Sequence, residues 1–212
     1  FFSGVGRHTW LRRAWTSVCC SSVLARWTET AAGGGFIHSF NGPHSLFADT
    51  IRTLRALALS HDLGHFLYEE QDEQIDLLDR LVAHADATAR YSLYWGEERD
   101  AHDERGRVAH ESIFNPESGE YRNPATQQGH SPFSTWTRGQ AWVMTGFAEL
   151  LEWLGTVDED ELKPPGGRAH VAGWFADPFF TSRPPPPLSF AAVLTPSPQV
   201  PRPTAWTPAL SR

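Results

Sequence analysis

Between Phe36 and Lys163 apolar residues return at intervals of three and four, and this spacing restricts the segment to packed amphipathic helices. In HSLFADTIRTLRALALSHDLGHFL, the residues Leu46, Phe47, Ile51, Leu54, Leu57 and Ala58 share one helical face, with Gly42-Pro43 ahead of it and Gly64 near its end. A second helix is predicted from about Glu73 to Tyr94, with Ile75, Leu78, Leu81, Val82, Ala85 and Ala89 on one side and Asp72 as its N-cap. A third is capped by Ser134 or Thr135 and continues through GQAWVMTGFAELLEWL to Gly155, a natural C′ residue. Between the second and third lies a loop of roughly 40 residues, long enough to form a functional surface. It opens with the polar stretch WGEERDAHDERGR. In RVAHESIFNPESGEYR an Asn-Pro-Glu-Ser-Gly turn then separates two short extended runs, which predicts a small hairpin. The pattern as a whole is all-α.

The two ends differ from this middle. Residues 36–163 carry 23 acidic and 10 basic side chains, whereas the first 35 and the last 49 residues each carry four arginines and one acid. Residues 1–35 have no helical or strand period and end in AAGGG, a flexible punctuation. The last 49 residues hold 12 of the 16 prolines, including the run Pro184 to Pro187, and are expected to be extended or disordered. The organisation predicted is therefore a poorly structured segment over 1–35, one helical domain over 36–163 and a proline-rich tail over 164–212.

An acidic middle is a poor match for nucleic acid, which needs a basic face. No apolar run reaches the roughly 20 residues of a membrane span, so neither nucleic acid nor membrane is an expected partner. Cys19 and Cys20 are adjacent and are the only cysteines, so no disulfide framework is predicted. The stretch after Arg12 and Arg13, AWTSVCCSSVLA, is too polar for a convincing export signal.

The segment HSPFSTWTRGQAW, His130 to Trp142, concentrates side chains that grip sugars at the start of the third helix. Arg138 and Trp142 are four apart and lie one turn above the other, close to the loop that carries Gln128 and His130. An indole stacks on the C–H face of a pyranose, a guanidinium pairs a carboxylate in a fork, and an amide meets hydroxyls, so the set suits an anionic sugar. The plain alternative makes Trp142 a core residue and Arg138 a surface residue.

At STWTRGQAW after QQGH, with HESIFNPESG ahead of it and NGPHSLFADTIR further upstream, the chain resembles the unsaturated glucuronyl hydrolases of glycoside hydrolase family 88. The related unsaturated rhamnogalacturonyl hydrolases of family 105 come next. The likeness runs from about Phe36 to about Leu162 and implies an (α/α)6 toroid, six helical hairpins around a cleft. It also implies roles: Asp49 as catalytic acid/base, and His110, Gln128, Arg138 and Trp142 as substrate contacts. The implied substrate is an oligosaccharide ending in a 4,5-unsaturated uronic acid. The implied reaction protonates C4 and adds water at C5, with no metal or other cofactor. Such an acid must stay protonated near neutral pH, which requires apolar surroundings. Phe47, Ala48 and Ile51 beside Asp49 are compatible with that, whereas an ion pair of Asp49 with Arg52 is the plain alternative.

Six hairpins at roughly 45–60 residues each exceed this chain, so a partial toroid and a fragment are expected. The resemblance also implies a second important aspartate ahead of Phe36, where this chain offers only Glu29. That leaves an inactive sugar-binding remnant as an alternative. A further alternative comes from SHDLGH, whose His61, Asp62 and His65 resemble the His-Asp doublet of HD-domain metal-dependent phosphohydrolases, with His44 and Asp100 or Asp103 as the remaining ligands.

Overall fold

The computed structural model describes residues 26–68 and 74–176. In chain order it contains β1 (Trp27–Glu29), β2 (Gly35–Ile37), β3 (Ser45–Phe47), a 3-10 helix (Ala48–Thr53), α1 (Leu54–Asp62), β4 (Leu67–Tyr68) and β5 (Gln74–Ile75). Then follow α2 (Leu77–Ala87), a π-helical turn (Thr88–Ser92), β6 (Glu111–Phe114), β7 (Tyr121–Ala125), α3 (Thr137–Leu154), α4 (Glu159–Leu162) and α5 (Gly167–Ala176). The protein is thus helical with three small antiparallel sheets, and the all-α expectation is corrected to that extent.

The helices pack as their periodicity requires. Ile51, Leu54, Leu57 and Ala58 meet Leu77, Leu78, Leu81, Val82 and Ala85 of α2 and Val143, Phe147, Leu150 and Leu154 of α3 in one core. Each buried aliphatic side chain of this kind contributes about 1.5–3 kcal/mol, so this core is the main stabilising element. The boundaries differ from those predicted. Asp76 caps α2, accepting from the Leu78 N–H at 2.7 Å, while the expected cap Asp72 lies outside the described residues. Trp136, rather than Ser134 or Thr135, stands at the N-cap of α3, with no side-chain cap bond. Gly155 ends that helix in the right-handed region, φ −62, instead of as a left-handed C′ residue.

The largest difference lies just ahead of α1. Leu46 and Phe47 belong to β3, which pairs with β6 in the register Ser45 to Ile113 and Phe47 to Glu111. Successive strand residues face opposite sides of a sheet. Leu46 accordingly joins Phe36, Ala87 and Phe114 in a second apolar cluster, while the Phe47 ring lies 4.8 Å from that of His110. β6 pairs on its other edge with β7, forming the hairpin anticipated around Asn-Pro-Glu-Ser-Gly, with the Gly119 N–H donating to Asn115 O at 2.8 Å.

AAGGG is a tight turn between β1 and β2. Gly33 and Gly34 take positive φ (89 and 66), and a Cβ on Gly35 would sit 2.6 Å from the Trp27 ring. This hairpin spans the boundary drawn after residue 35. Of the segment expected to be an extended tail, residues 167–176 form α5, and 177–212 lie outside the described residues, as do 1–25.

Candidate active site

Three elements converge on Asp49. β3 ends at Phe47, and the 3-10 helix begins at once, held by the Ala48 N–H donating to His110 O at 3.0 Å. Asp49 therefore emerges in the first turn of a rigid corner, beside the residue that precedes β6. α3 lies across this corner because Gly146 admits it: a Cβ there would be 2.8 Å from Ile51 Cγ2. Asp49 is half-buried. Burial pushes its carboxyl above the ordinary 3.8, and its own backbone N–H, His110 and Arg138 pull the other way without prevailing. The plain alternative for Asp49 does not form. Arg52 and Arg55 instead reach Glu149 of α3, at 3.8 and 3.0 Å.

His110 is 2% exposed, with its ring 4.8 Å from Phe47 and 4.1 Å from Trp136. Its Nδ1 accepts from the Gln127 N–H at 3.0 Å and the Gln128 N–H at 3.4 Å, so the neutral ring carries its proton on Nε2. That Nε2 is buried and has no hydrogen-bond partner. Burial holds the His110 pKa below its ordinary value, against the pull of Asp49 and Glu111 and with the help of Arg138. The two shifts favour the uncharged form of both groups, burial being the first cause of each.

Arg138 donates from Nη2 to Gln128 Oε1. Its guanidinium lies 5.0 Å from the Trp136 ring centre and 5.3 Å from that of Trp142. The two indoles meet edge to face at 5.6 Å. Both termini of this arrangement are anchored. Trp136 N–H donates to Val108 O at 3.0 Å, Gln140 Nε2 to Gly106 O at 3.2 Å, and Arg107 Nη1 to Phe133 O at 3.0 Å. The polar stretch after Trp95 is ordered by Asp103, whose carboxylate accepts from the N–H groups of Gly96, Glu97 and Arg99.

All five residues singled out in the sequence thus form one connected set: Asp49 with His110 and Arg138, Gln128 with Arg138, and Trp142 through Arg138 and Trp136. His130 is exposed and outside it. Trp136, one of the two tryptophans in the segment His130 to Trp142 but given no role of its own there, joins the set through His110 and Trp142. It is 7% exposed and folds over Gly139, where a Cβ would collide with its Cε3, and this close approach is the reason for the glycine after Arg138. Glu111, 3% exposed, was missed. It fixes the loop before β3 by accepting from Ser45 Oγ at 2.5 Å and Asn41 Nδ2 at 2.9 Å. The turn Asn-Pro-Glu-Ser-Gly signalled an extended run at HESIF, but nothing in its polar residues marked Glu111 as buried.

The metal-site alternative does not assemble. His61 pairs with Glu161 at 2.9 Å, Asp62 accepts from Trp153 Nε1 at 3.0 Å, Asp100 pairs with Arg107 at 2.7 Å, and His44 acts on His38 instead. Among the described residues no three metal-ligating side chains cluster. Glu29 lies on β1, outside the cavity onto which Asp49 opens.

A carboxyl held toward its protonated form thus lies within electrostatic reach of a guanidinium that is bonded to an amide and flanked by two indoles. The model of Glycosyl Hydrolase Family 88 matches residues 14–163, and the chain belongs to that family. Over 49 residues it is 47% identical to the unsaturated glucuronyl hydrolase of Bacillus sp. (strain GL1), a match covering 23% of this chain and 13% of that protein. The solved Bacillus sp. GL1 unsaturated glucuronyl hydrolase, responsible for the degradation of glycosaminoglycan, superposes with a TM-score of 0.48 at 23% identity, over 77% of this chain and 37% of its own. An unsaturated glucuronyl hydrolase from Streptococcus agalactiae gives a TM-score of 0.48 at 21% identity, over 73% and 34%. The chain spans well under half the length of each of these relatives.

Proposed function

We propose that this chain forms the acid-bearing part of a hydrolase that removes a 4,5-unsaturated uronic acid from the non-reducing end of lyase-generated oligosaccharides. Its helices are read as part of an (α/α)6 ring, and its domain as residues 36–163 with the β1–β2 hairpin attached. Asp49 is the general acid. Arg138 and Gln128 hold the uronate carboxylate and hydroxyls, Trp142 stacks on the ring, and His110, its Nε2 buried, acts through Asp49 as a positioning residue rather than by touching the sugar.

The reaction is a hydration of a vinyl ether. Asp49 gives its proton to C4, and positive charge spreads over C5 and the ring oxygen. Water adds at C5 and returns a proton to the Asp49 carboxylate. The hemiketal formed at C5 opens to a ketone, and the hemiacetal left at C1 releases the next sugar. A general acid of this kind contributes about 10²–10⁴-fold in rate when its pKa lies near the working pH.

The observation that carries this reading is the raised pKa of Asp49 within the electrostatic reach of Arg138, which is itself bonded to Gln128. The test follows the ultraviolet absorbance of the double bond in an unsaturated uronyl disaccharide. Decay that disappears in Asp49→Asn supports hydrolysis. Binding without decay makes the chain a sugar-binding remnant, and neither binding nor decay overturns the reading.

A further inference from the structure

A cavity of about 750 Å³ shares no lining residue with the one onto which Asp49 opens. Its walls are the C-terminal end of α2, the π-helical turn, the Gly33-Gly34 turn of the β1–β2 hairpin, Trp95 and α5. Asp86 of α2 ties α5 in place: its carboxylate accepts from Trp174 Nε1 at 2.6 Å and pairs with His170 Nε2 at 2.9 Å. On another wall Trp95 Nε1 donates to Ala89 O at 3.1 Å. Both indole N–H groups are thus committed within the protein. What these two rings leave for a guest is carbon.

The rim is acidic. Glu97 lines the same cavity and is exposed. The hairpin turn rests on α2, where a Cβ on Gly34 would lie 3.5 Å from Ala83 Cβ. Beyond that contact a second cavity of about 510 Å³ shares Thr30, Gly33, Gly34 and Ala83 with the first and adds Glu29, Asp76 and Asp79. Burial first, and then the charge of Asp76, hold the Asp79 pKa above its ordinary value, which marks the local potential as negative. The two arginines among these linings each sit over a ring, Arg80 over Trp27 at 4.0 Å and Arg90 over Tyr91 at 5.4 Å.

We infer that this groove is the docking site of the chain's own proline-rich segment, residues 183–188, Arg-Pro-Pro-Pro-Pro-Leu. Proline-rich segments need no internal hydrogen bonds, lose little entropy on binding and pack their rings on aromatic-lined grooves. Trp95 and Trp174 supply the aromatic walls, and Arg183 meets Glu97 at the rim. Charge agrees with this occupant, since residues 178–212 contain Arg183, Arg202 and Arg212 and no acid. Reach agrees as well. α5 ends at Ala176, two residues after Trp174, and Arg183 follows seven residues later, a span of up to about 25 Å. A tether this short gives an effective concentration on the mM scale, so contacts too weak to hold a separate peptide still fill the groove. Docked there, the segment straps α5 to α2 over the Asp86 contacts, whatever the chemistry at Asp49.

The experiment compares the indole N–H resonances of Trp95 and Trp174 in the full chain and in a full-length variant carrying Pro184→Ser, Pro185→Ser, Pro186→Ser and Pro187→Ser together. Both resonances are expected to differ between the two proteins. A synthetic peptide of residues 181–190, added to the serine variant, is expected to return them to their positions in the unsubstituted chain. Glu97→Lys in that variant should weaken the peptide about 5-fold, the scale of a partly exposed ion pair, and a peptide carrying Arg183→Glu should recover most of the loss. Resonances that coincide in the two full chains overturn the inference even where the peptide binds, because the groove then takes its guest from another protein. A difference that fades on dilution overturns it too, because the segment then comes from a second copy. An affinity that Glu97→Lys leaves unchanged overturns the placement of Arg183 at Glu97.

Discussion

Gly146 of α3 and Ile51 of the 3-10 helix pack so closely that a Cβ on the glycine would lie 2.8 Å from Ile51 Cγ2 and 3.1 Å from Cγ1. Ile51 is 1% exposed and β-branched, so it has no free rotamer into which to retreat. This contact sets the distance between the corner that carries Asp49 and the helix that carries Arg138 and Trp142.

Gly146→Ala must therefore move one element against the other. Overpacking of this kind costs about 1–3 kcal/mol, of which better helix propensity offsets up to about 1 kcal/mol. The expected outcome in urea denaturation is a modest net loss of stability. Affinity for an unsaturated uronyl disaccharide falls in parallel, because the acid and its grip are displaced together. Unaltered affinity in the Gly146→Ala variant would dissociate this contact from the site.

Asp49→Asn carries an opposite expectation for stability and activity. The folded-state pKa of Asp49 lies above 3.8, so the folded protein binds its proton more tightly than the unfolded chain. Stability from this group is complete below 3.8 and is lost as pH rises through the folded pKa. Asparagine removes the burden of a buried charge, so the variant should melt at a higher temperature at about pH 7 and show little difference at about pH 3. Turnover should fall by about 10²–10⁴-fold. Melting curves at the two pH values, with the ultraviolet assay alongside, check both halves.

The helices were legible because burial on one face imposes a period. Leu54, Leu57 and Ala58 of α1 and Leu78, Leu81, Val82 and Ala85 of α2 sit in the core as their spacing requires. β3 was not legible for a definite reason. Leu46 and Phe47 fall in phase with Ile51 and Leu54, and nothing nearby in sequence reveals that their strand partner is HESIF, far along the chain. AAGGG has the composition of a flexible link, yet the same glycines are what a turn with two positive φ values and a close-packed Trp27 demands. In the site, Arg138 and Trp142 were visible through their four-residue offset. Trp136 and Glu111 act through tertiary contacts, with His110 and with Asn41 and Ser45, and those contacts leave no local periodic trace.

Arg138→Lys tests whether the guanidinium acts as a fork. A lysine keeps the charge but loses the planar fork of donors, one of which goes to Gln128. Arg138 is exposed, so folding should be unaffected. Affinity for the uronyl disaccharide is expected to fall about 10-fold, the loss of a charge-assisted hydrogen bond. Gln128→Ala should produce a smaller drop and, combined with Arg138→Lys, less than the sum of the two, since one interaction is shared. Calorimetric titration of the four proteins gives the coupling directly.

The last prediction concerns acid. His84 is fully buried between α2 and the β1–β2 hairpin, its Nδ1 accepting from the Ile37 N–H at 3.0 Å and its Nε2 without a partner. Burial alone lowers its pKa from 6.5 to about 3. As pH falls below 6.5 the unfolded chain takes up a proton that the folded protein refuses. The stability this neutral histidine contributes is whole above 6.5 and is lost between 6.5 and about 3, at up to about 1.4 kcal/mol per pH unit. His84→Leu strands the Ile37 N–H and should cost about 1–3 kcal/mol at about pH 7. It should also flatten the acid limb of the stability curve, so that the two proteins converge, or exchange order, near about pH 4. Urea midpoints measured from about pH 7 to about pH 4 decide the matter: parallel curves would mean that His84 titrates normally and that the hairpin does not seal it from water.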